Sequence, residues 1–267
     1  MTRVPVIIPY YKEQDKLARC LAHLRAQSYR DLDVFVRDNS DDNIYFTAAV
    51  NEGLQKFCYV PEIRYVAILN QDAYLAPRAI ELLVSFLDQR PEAGIACPLQ
   101  VMGGEVQWGG ALQAFPVGVH RQDPLESYSA PCETPWANGA ALIIRTQVVR
   151  EVGLFDRNMR FICSDVDFSF TARARGWKIY LVPQARCEHS LTGSRSTRNF
   201  PLELIKVNDL LYFARKWVSG ELFRVLSHEG ASLTRTEIRM EIDKMEKARA
   251  ALEGILKGQE ASQPAPS

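Results

Sequence analysis

The sequence predicts an α/β fold built around a doubly wound, mostly parallel central sheet that is flanked by helices. Strand and helix patterns alternate three times within residues 4–89, as they do in parallel sheets covered by helices on both faces. The apolar segment Tyr65–Leu69 is typical of a buried parallel strand, and it runs directly into Asn70, Gln71 and Asp72. Because ligands bind at the carboxyl ends of strands in such sheets, we expect a site beside Asp72.

The residue types that follow this strand suit a hard cation. A carboxylate from Asp72 with amide oxygens from Asn70 and Gln71 beside it can hold Mg²⁺ or Mn²⁺, which in turn suits a diphosphate. The alternative is an ordinary turn, in which these side chains bond to the backbone before the next helix.

The elements are predicted as follows. Each of three strands is followed by a helix, and the second helix has the weakest pattern. In order, the segments are strand 4–9, a helix ending near Gln27, strand 32–36, helix 43–56, strand Tyr65–Leu69 and helix 77–89. The turn after the first strand has no glycines, so the dinucleotide-binding fingerprint is absent and hydride transfer is disfavoured.

The regular alternation of strand and helix patterns stops in the middle of the chain. After a short strand at 95–97, clustered Gly and Pro residues predict an irregular β-rich insertion over 100–135, the kind of segment that often carries recognition. Residues 136–144 then form a turn into an apolar strand. Gly139 in that turn either permits close approach by a ligand or relieves a bend.

Two acidic residues begin the next predicted helix. Ser164 is expected to be its N-cap, which places Asp165 and Asp167 in the first turn, where the helix dipole favours negative charge for structural reasons too. Gly176 ends this helix, and a strand follows over 178–182. His189 comes next in a polar loop, where a lone histidine is ordinarily exposed.

Composition excludes several classes of protein. The chain of 267 residues has 32 Lys and Arg against 32 Asp and Glu, and it has no basic stripe, so we expect no nucleic-acid partner. No segment approaches the roughly 20 apolar residues of a membrane span, and the start of the chain lacks the pattern of a signal peptide. We therefore expect a cytoplasmic protein, with any membrane contact peripheral and at the inner face.

The cysteines do not form a known motif. Six of them are scattered without a C-x-x-C pair, so neither a zinc site nor a redox pair is indicated. Cys20 falls in a predicted helix and Cys97 in a predicted strand, as expected for reduced, buried thiols.

The last segment is predicted to be a charged helix over 234–257, with apolar residues near heptad spacing. We expect this helix to pack on its own domain or on a second subunit as a homodimer. Contact with a membrane surface is a further alternative, which the acidic residues of the helix oppose. Residues 258–267 are predicted to be disordered.

Several of these segments, taken in order, resemble motifs of the family-2 glycosyltransferases of the GT-A fold. The resemblance spans about residues 4–217. The motifs are Val-Ile-Ile-Pro-Tyr-Tyr at 6–11, Val-Arg-Asp-Asn-Ser at 36–40, Leu-Asn-Gln-Asp-Ala at 69–73, Asn-Gly-Ala at 138–140, Gly-Leu-Phe-Asp at 153–156, Asp-Val-Asp-Phe at 165–168, and His189. The resemblance implies a GT-A (Rossmann-like) domain at 1–217, a C-terminal helical appendage at 218–257 and the disordered tail.

The resemblance also implies a donor site for a nucleoside-diphosphate sugar. Asp38 would accept the N3–H of uracil or thymine, in a pocket lined by Pro9, Tyr11 and Glu13. Asp72 would hold Mn²⁺ or Mg²⁺ with His189 as a further ligand, and Asn70 and Gln71 would lie beside the cation.

The reaction implied is transfer with inversion of configuration. Asp165 falls at the position of the family's general base, which would take the proton of an acceptor hydroxyl as its oxygen attacks the anomeric carbon. Arg195 and Arg198 would stabilise the leaving diphosphate from a mobile lid, unless their loop is only solvated surface. The other residues assigned to substrate binding are Trp136, Asn138, Gly139 and Asp167.

Within the family, the chain looks most like bacterial rhamnosyltransferase-like enzymes. The cues are Asn-Gln-Asp-Ala at 70–73 and the polar helix at 206–216. The donor would be linked to dTDP or UDP, with rhamnose as a candidate sugar, and the acceptor would be a saccharide or a lipid-linked saccharide. Lys12 and Ser164 stand where the family usually has Asn and Glu, which supports the alternative of a nucleotide-sugar-binding or scaffold protein that has lost transfer.

Overall fold

A computed structural model describes residues 2–112, 119–189, 199–219 and 235–261. The strands are β1 (Val4–Tyr10), β2 (Leu32–Asp38), β3 (Tyr65–Leu69), β4 (Tyr74–Leu75), β5 (Ala93–Met102), β6 (Glu105–Trp108), β7 (Ala111–Leu112), β8 (Val119–His120), β9 (Cys132–Glu133), β10 (Ala141–Arg145) and β11 (Lys178–Glu188). The α-helices are α1 (Gln14–Arg25), α2 (Tyr45–Phe57), α3 (Ala79–Gln89), α4 (Thr146–Val152), α5 (Ser164–Ala174), α6 (Phe200–Ser219) and α7 (Arg235–Ala261), and a 3₁₀ turn covers Leu125–Ser127.

One sheet of nine strands organises the molecule. Its main path runs β2-β1-β3-β10-β5-β11-β4, and β6 and β9 pair with β5 and β11 off this path. The pairs β1–β2, β1–β3 and β5–β11 are parallel, whereas β10 is antiparallel to both of its neighbours. The predicted mostly parallel sheet is therefore confirmed. Because β10 runs in the opposite direction, its amino end lies at the same edge as the carboxyl ends of β1 and β3.

Helices cover both faces of the sheet, which explains the uninterrupted apolar strands. Val66 and Ile68 of β3 belong to one buried cluster, and Tyr65, Ala67 and Leu69 belong to the other. A strand whose successive side chains enter two separate cores cannot alternate apolar with polar residues.

Two strands are longer than the sequence suggested. β5 and β11 pair along most of their lengths, with a register shift between Val182 and Arg186. Pro183 lies within that shift, where a residue without a backbone N–H is tolerated. The pairing resumes beyond the shift and carries β11 on to Glu188, so the next residue, His189, comes to lie beside β5.

The C-terminal helix α7 packs on its own domain. Ile238 and Ile242 are buried in the same cluster as Trp217 of α6, and Arg215 pairs with Glu246 across the two helices. The helix continues to Ala261, past the predicted end at Lys257. Residues 262–267 of the predicted tail lie outside the described residues.

Within the described ranges, every helix is too short or too polar to cross a bilayer.

Candidate active site

The end of β3 is joined to the turn before β10. Leu69 pairs with Ala141, and the backbone N–H of Asn70 donates to the carbonyl of Ala140 over 2.8 Å. This contact brings Asn70, Gln71 and Asp72 beside the turn that contains Asn138 and Gly139. Two of the predicted motifs, far apart in the sequence, thus meet at one edge of the sheet.

Asp165 is attached to the same turn. The backbone N–H of Gly139 donates to Asp165 Oδ2 over 2.7 Å, and the N–H of Val166 donates to Oδ1 over 2.9 Å. A Cβ at position 139 would lie 3.1 Å from Asp165 Oδ2 and 2.9 Å from Phe46 Cζ. Gly139 therefore permits close approach by a carboxylate of the protein itself, which neither of the two sequence hypotheses foresaw.

The environment of Asp165 favours a basic carboxylate. Burial raises its pKa above the ordinary 3.8, although the hydrogen bonds from the backbone N–H groups of Gly139 and Val166 oppose the shift. Two fixed donors also hold the plane of the carboxylate. The group is thus both oriented and more basic than an exposed aspartate.

The start of α5 differs from the prediction. Cys163 has a left-handed backbone (φ 68°) and is the residue before the helix, so Ser164 is the first helical residue rather than the N-cap. The Ser164 hydroxyl is buried and accepts a hydrogen bond of 2.7 Å from Thr47 Oγ1. Asp165 and Asp167 do lie in the first turn, as predicted.

Asp72 and His189 face each other beside this turn. His189 Nε2 lies 3.7 Å from Asp72 Oδ1, and Lys16 Nζ lies 4.0 Å from the other oxygen, Oδ2. His189 is only 7% exposed, unlike the usual loop histidine. Burial lowers its pKa, while the charge of Asp72 acts in the opposite direction, so the imidazole is neutral at physiological pH.

The Asp72 and His189 pair fits a divalent cation. A separation of 3.7 Å is too long for a hydrogen bond. Two ligands at about 2.1 Å from one ion are at most about 4.2 Å apart, so both atoms can contact the same ion. No group of three or more His, Cys, Asp or Glu side chains arranged for a metal occurs in the described part of the chain. An ion held by this pair would have open positions for the oxygens of a bound molecule or water.

Asp38 lies further along the same edge. It is the register partner of Tyr10, whose carbonyl accepts from the N–H of Asn39 over 2.8 Å. The hydroxyl and the backbone N–H of Ser40 hold the pKa of Asp38 below its ordinary value. The exposed carboxylate is therefore ionised at neutral pH and can accept a hydrogen bond from a ligand.

Gln71 connects these two parts of the edge. Its Oε1 accepts from the N–H of Tyr11 over 2.6 Å, and its Nε2 donates to Glu13 Oε2 over 3.0 Å. Tyr11, the residue after the end of β1, remains 43% exposed. The amide of Gln71 thus fixes the loop at 11–13. The Tyr11 ring on this loop stays accessible to a ligand.

Two residues assigned to substrate binding have other roles. Asp167 is 3% exposed, accepts from Trp217 Nε1 over 2.8 Å and pairs with Lys216, so it fastens α6 to α5. Trp136 is buried against Trp108, with their rings 6.0 Å apart. Both side chains are engaged in packing the fold, which disfavours a direct contact of either one with a substrate. Arg195 and Arg198 lie outside the described residues.

Sequence reasoning missed a contact that supports the site from α6. Asp209 is buried and accepts hydrogen bonds of 2.7–2.9 Å from the backbone N–H groups of Arg160, Phe161 and Ile162. These residues lead into α5 and Asp165. The polar stretch 206–216 had suggested only a sub-family, whereas it holds the loop beside the candidate base.

Asp38, Asp72, Asp165 and His189 therefore lie along one edge of the sheet. The connections run from Asp38 through the loop held by Gln71 to Asp72, and from the neighbouring Asn70 through the 138–140 turn to Asp165. This edge combines an ionised acceptor, a carboxylate and imidazole pair spaced to contact one cation, and a carboxylate whose pKa is raised.

The chain is a glycosyltransferase and belongs to glycosyl transferase family group 2, whose model matches residues 65–249, more than half of the sequence. A second model, glycosyl transferase family 2, matches residues 6–61. The family predicted from the ordered motifs is thus confirmed.

Two relatives with named roles share about a quarter of their aligned residues with this chain. Over 231 residues the chain is 25% identical to the O-antigen biosynthesis protein RfbC of Myxococcus xanthus, covering 74% of this chain but only 18% of that protein. Over 235 residues it is 23% identical to an N-acetylglucosaminyl-diphospho-decaprenol L-rhamnosyltransferase of Mycobacterium tuberculosis, covering 70% of this chain and 75% of that enzyme. The resemblance to rhamnosyltransferases is confirmed at this level.

Solved structures confirm the GT-A fold. GalNAc-T7, crystallised with UDP, GalNAc and Mn²⁺, matches with a TM-score of 0.61 at 14% identity, over 91% of this chain and 55% of that one. S. aureus TarS matches with a TM-score of 0.52 at 13% identity, over 93% and 43%. The chain thus spans about half the length of these two structures.

Proposed function

We propose that this protein is an inverting, divalent-cation-dependent glycosyltransferase that moves a sugar from a nucleoside diphosphate to a hydroxyl of a saccharide or lipid-linked saccharide. The observation that carries the proposal is the meeting of two groups at the end of β3. The pair Asp72 and His189 lies on one side, and Asp165 is attached through Gly139 on the other.

The nucleoside end of the donor would lie against the β1–β2 side of the edge. Asp38 is ionised and accepts the N3–H of a uracil or thymine base, and the exposed ring of Tyr11 offers a flat apolar surface nearby. An ionised carboxylate can only accept hydrogen bonds, so it disfavours a base that has a hydrogen-bond acceptor at the position of the N3–H.

Asp72 and His189 would hold Mn²⁺ or Mg²⁺. The carboxylate oxygen and the neutral imidazole nitrogen are suitable ligands, and the diphosphate supplies further oxygens. When bound, the cation neutralises the charge that develops on the leaving diphosphate. GalNAc-T7, of the same fold, was crystallised with UDP and Mn²⁺, which supports this assignment.

Asp165 would act as the general base. Its carboxylate takes the proton of the acceptor hydroxyl while the hydroxyl oxygen forms a bond to the anomeric carbon. The bond from that carbon to the diphosphate oxygen breaks at the same time, and the leaving group departs with the electron pair. Because attack comes from the face opposite the leaving group, configuration is inverted. The raised pKa makes Asp165 a better proton acceptor than an exposed aspartate.

The relatives suggest the substrate class. One is an L-rhamnosyltransferase that acts on N-acetylglucosaminyl-diphospho-decaprenol, and another serves O-antigen biosynthesis. We propose a dTDP- or UDP-linked donor, with rhamnose as the first candidate, in the synthesis of surface polysaccharide. All six cysteines are free, which supports a cytoplasmic location.

One of the two departures behind the alternative of a binding protein without activity, Ser164, has a structural explanation. Ser164 stands where the family usually has Glu, but its hydroxyl is buried and bonded to Thr47, so it is part of the packing beneath the site. Asp165 keeps its orientation and its raised pKa beside that serine. A homodimer through the C-terminal helix is also less favoured, because Ile238 and Ile242 are covered by the chain's own core.

Thermal shift tests the proposal. UDP-, dTDP- and GDP-sugars are compared with and without Mn²⁺, since a ligand of the native state raises the midpoint of unfolding. We expect a Mn²⁺-dependent rise with a uridine or thymidine donor, and its loss in Asp38→Leu. The matched variant Asp31→Leu, on an exposed residue before β2, should retain the rise. A panel in which no nucleotide sugar raises the midpoint in the presence of Mn²⁺ would refute the proposed donor class.

A further inference from the structure

Gln100 of β5 is fully buried, at 0% exposure, in a strand whose other inward-facing residues are apolar. Burying an amide is unfavourable unless its polar atoms are hydrogen-bonded, so a methionine or leucine would be more stable here if packing alone decided. The amide therefore requires an explanation from its contacts.

The one hydrogen bond that the Gln100 side chain makes within the described residues is to His189. Its Oε1 lies 3.1 Å from His189 Nδ1, and its Nε2 has no partner in that part of the chain. The backbone of His189 is held by the same strand, since its N–H donates to the carbonyl of Val101 over 3.3 Å. Adjacent residues of β5 thus fix both the backbone and the ring of His189.

A second buried glutamine shows what a purely structural amide looks like in this protein. Gln27 is 1% exposed; its Nε2 donates to the carbonyl of Ala76 over 2.9 Å, and its Oε1 accepts from the N–H of Ile80 over 3.2 Å. Both ends of Gln27 tie backbone segments together. The Gln100 side chain, by contrast, makes its hydrogen bond within the described residues to the imidazole ring of His189.

The contact determines which ring nitrogen carries the proton. An amide oxygen only accepts, so His189 Nδ1 must carry the hydrogen that is donated to Gln100 Oε1. In the neutral ring, Nε2 is then left with its lone pair, and Nε2 is the atom 3.7 Å from Asp72 Oδ1. The opposite tautomer would place a hydrogen where a cation must bind.

We infer that Gln100 is a positioning residue of the cation site, which holds His189 in the tautomer and orientation that direct the Nε2 lone pair toward Asp72. The inference rests on the proposed cation-dependent function. Partners of this kind orient metal-ligating histidines in proteins generally, and their removal costs about 10–100-fold in metal affinity.

The experiment measures Mn²⁺ affinity of the nucleotide-free protein by titration calorimetry. Gln100→Met keeps the volume but removes the acceptor, and we expect it to weaken Mn²⁺ binding by about 10–100-fold. Gln100→Glu restores an acceptor for Nδ1–H, so its affinity should stay within about threefold of wild type. Gln27→Met is the matched control, because it should lower the unfolding midpoint and leave Mn²⁺ affinity unchanged.

A double-mutant cycle with His189→Ala tests the proposed cation site separately from the proposed role of Gln100. If His189→Ala binds Mn²⁺ as tightly as wild type, the proposed cation site itself is refuted. If His189→Ala weakens binding but Gln100→Met does not, the cation site stands and the role of Gln100 is refuted. We expect Gln100→Met to add no further loss in the His189→Ala background, and a further loss there would also contradict the inference.

The tautomer of His189 can also be measured directly on the wild-type protein, without relying on the folding of a variant. ¹⁵N NMR of the metal-free protein, recorded above the ordinary histidine pKa of about 6.5, reports which nitrogen carries the proton. We expect His189 to be protonated at Nδ1. Protonation at Nε2 would mean that the amide is reversed and donates to Nδ1, which would overturn the inference.

Discussion

The backbone N–H of Gly139 donates a hydrogen bond of 2.7 Å to Asp165 Oδ2, and a Cβ at position 139 would lie only 3.1 Å from the same oxygen. This contact joins the turn before β10 to the first turn of α5. The carboxylate is thereby placed beside the segment that delivers Asp72. The position of the proposed base thus depends on a residue without a Cβ.

Gly139→Ala should displace Asp165. The added Cβ would meet Phe46 Cζ at 2.9 Å and Asp165 Oδ2 at 3.1 Å, so both the ring and the carboxylate would have to shift to make room for it. We expect kcat to fall by about 10-fold, because misplacing a catalytic group by about 1 Å costs about 100-fold and the shift required here is smaller. Steady-state kinetics with the donor found by thermal shift provides the measurement.

The control for this variant is Gly254→Ala in α7, where a Cβ would have nothing within 4 Å. It should leave kcat unchanged and stabilise the helix by up to about 1 kcal/mol. If Gly139→Ala keeps the wild-type kcat, the link between the turn and Asp165 has no part in catalysis.

The pH profile of kcat should show the raised pKa of Asp165. Protonated Asp165 cannot accept the hydroxyl proton, so activity is absent at low pH and rises as pH increases through the folded-state pKa. Because burial raises that pKa, the acidic limb should lie above the ordinary value of 3.8. A limb at or below 3.8 would contradict the described environment of Asp165.

Asp209 should be important for stability rather than for chemistry. Asp209→Ala removes the acceptor of three backbone N–H groups at 160–162, and unsatisfied donors of this kind cost about 1–3 kcal/mol each when they stay buried. Since water reaches part of this loop, we expect a loss of about 3 kcal/mol in the free energy of unfolding. Urea denaturation measures the loss.

Asp243→Ala serves as the control, because Asp243 is exposed on α7. Surface substitutions of this kind change stability by within about 0.5 kcal/mol. Equal stabilities of the two variants would show that α6 does not hold the loop before α5.

Lys16→Met should tighten the binding of Mn²⁺ in the absence of nucleotide. Lys16 Nζ lies 4.0 Å from Asp72 Oδ2 and repels a second cation at the same carboxylate. Since Lys16 is partly exposed and also pairs with Glu13 over 2.6 Å, the gain should be modest, about threefold. Calorimetry compares it with Lys178→Met, whose partner Glu133 belongs to a different part of the sheet. Weaker binding in Lys16→Met would mean that the lysine supports the cation site instead of opposing it.

The strands, and the edge of the sheet at which the candidate residues gather, were predictable because their sequence signals are local. Tyr65–Leu69 is a strand with the bounds that its apolar run suggested, and the polar residues after it lie at the edge formed by the carboxyl ends of the parallel strands. The direction of β10 was not predictable, since an apolar strand pattern is the same for parallel and antiparallel pairing.

The roles of individual side chains depended on contacts between distant residues. Asp165 and Asp167 share one helical turn, but residues two apart on a helix point about 200° from each other, so one meets Gly139 and the other meets α6. His189 has the sequence context of an exposed loop residue, and its burial results from the pairing of β11 with β5. Gln100 gave no signal, because its partner is distant in the sequence.

The central claim is that Asp165 removes the acceptor proton, and Asp165→Asn tests it most directly. The matched variant is Asp167→Asn, which alters the ion pair with Lys216 and should lower stability while leaving kcat of the folded protein within about tenfold. Single-turnover sugar transfer is measured for both variants, with Mn²⁺-dependent donor binding measured in parallel. We expect Asp165→Asn to bind the donor normally but to transfer sugar at least about 100-fold more slowly. Transfer at the wild-type rate by Asp165→Asn would contradict the central claim.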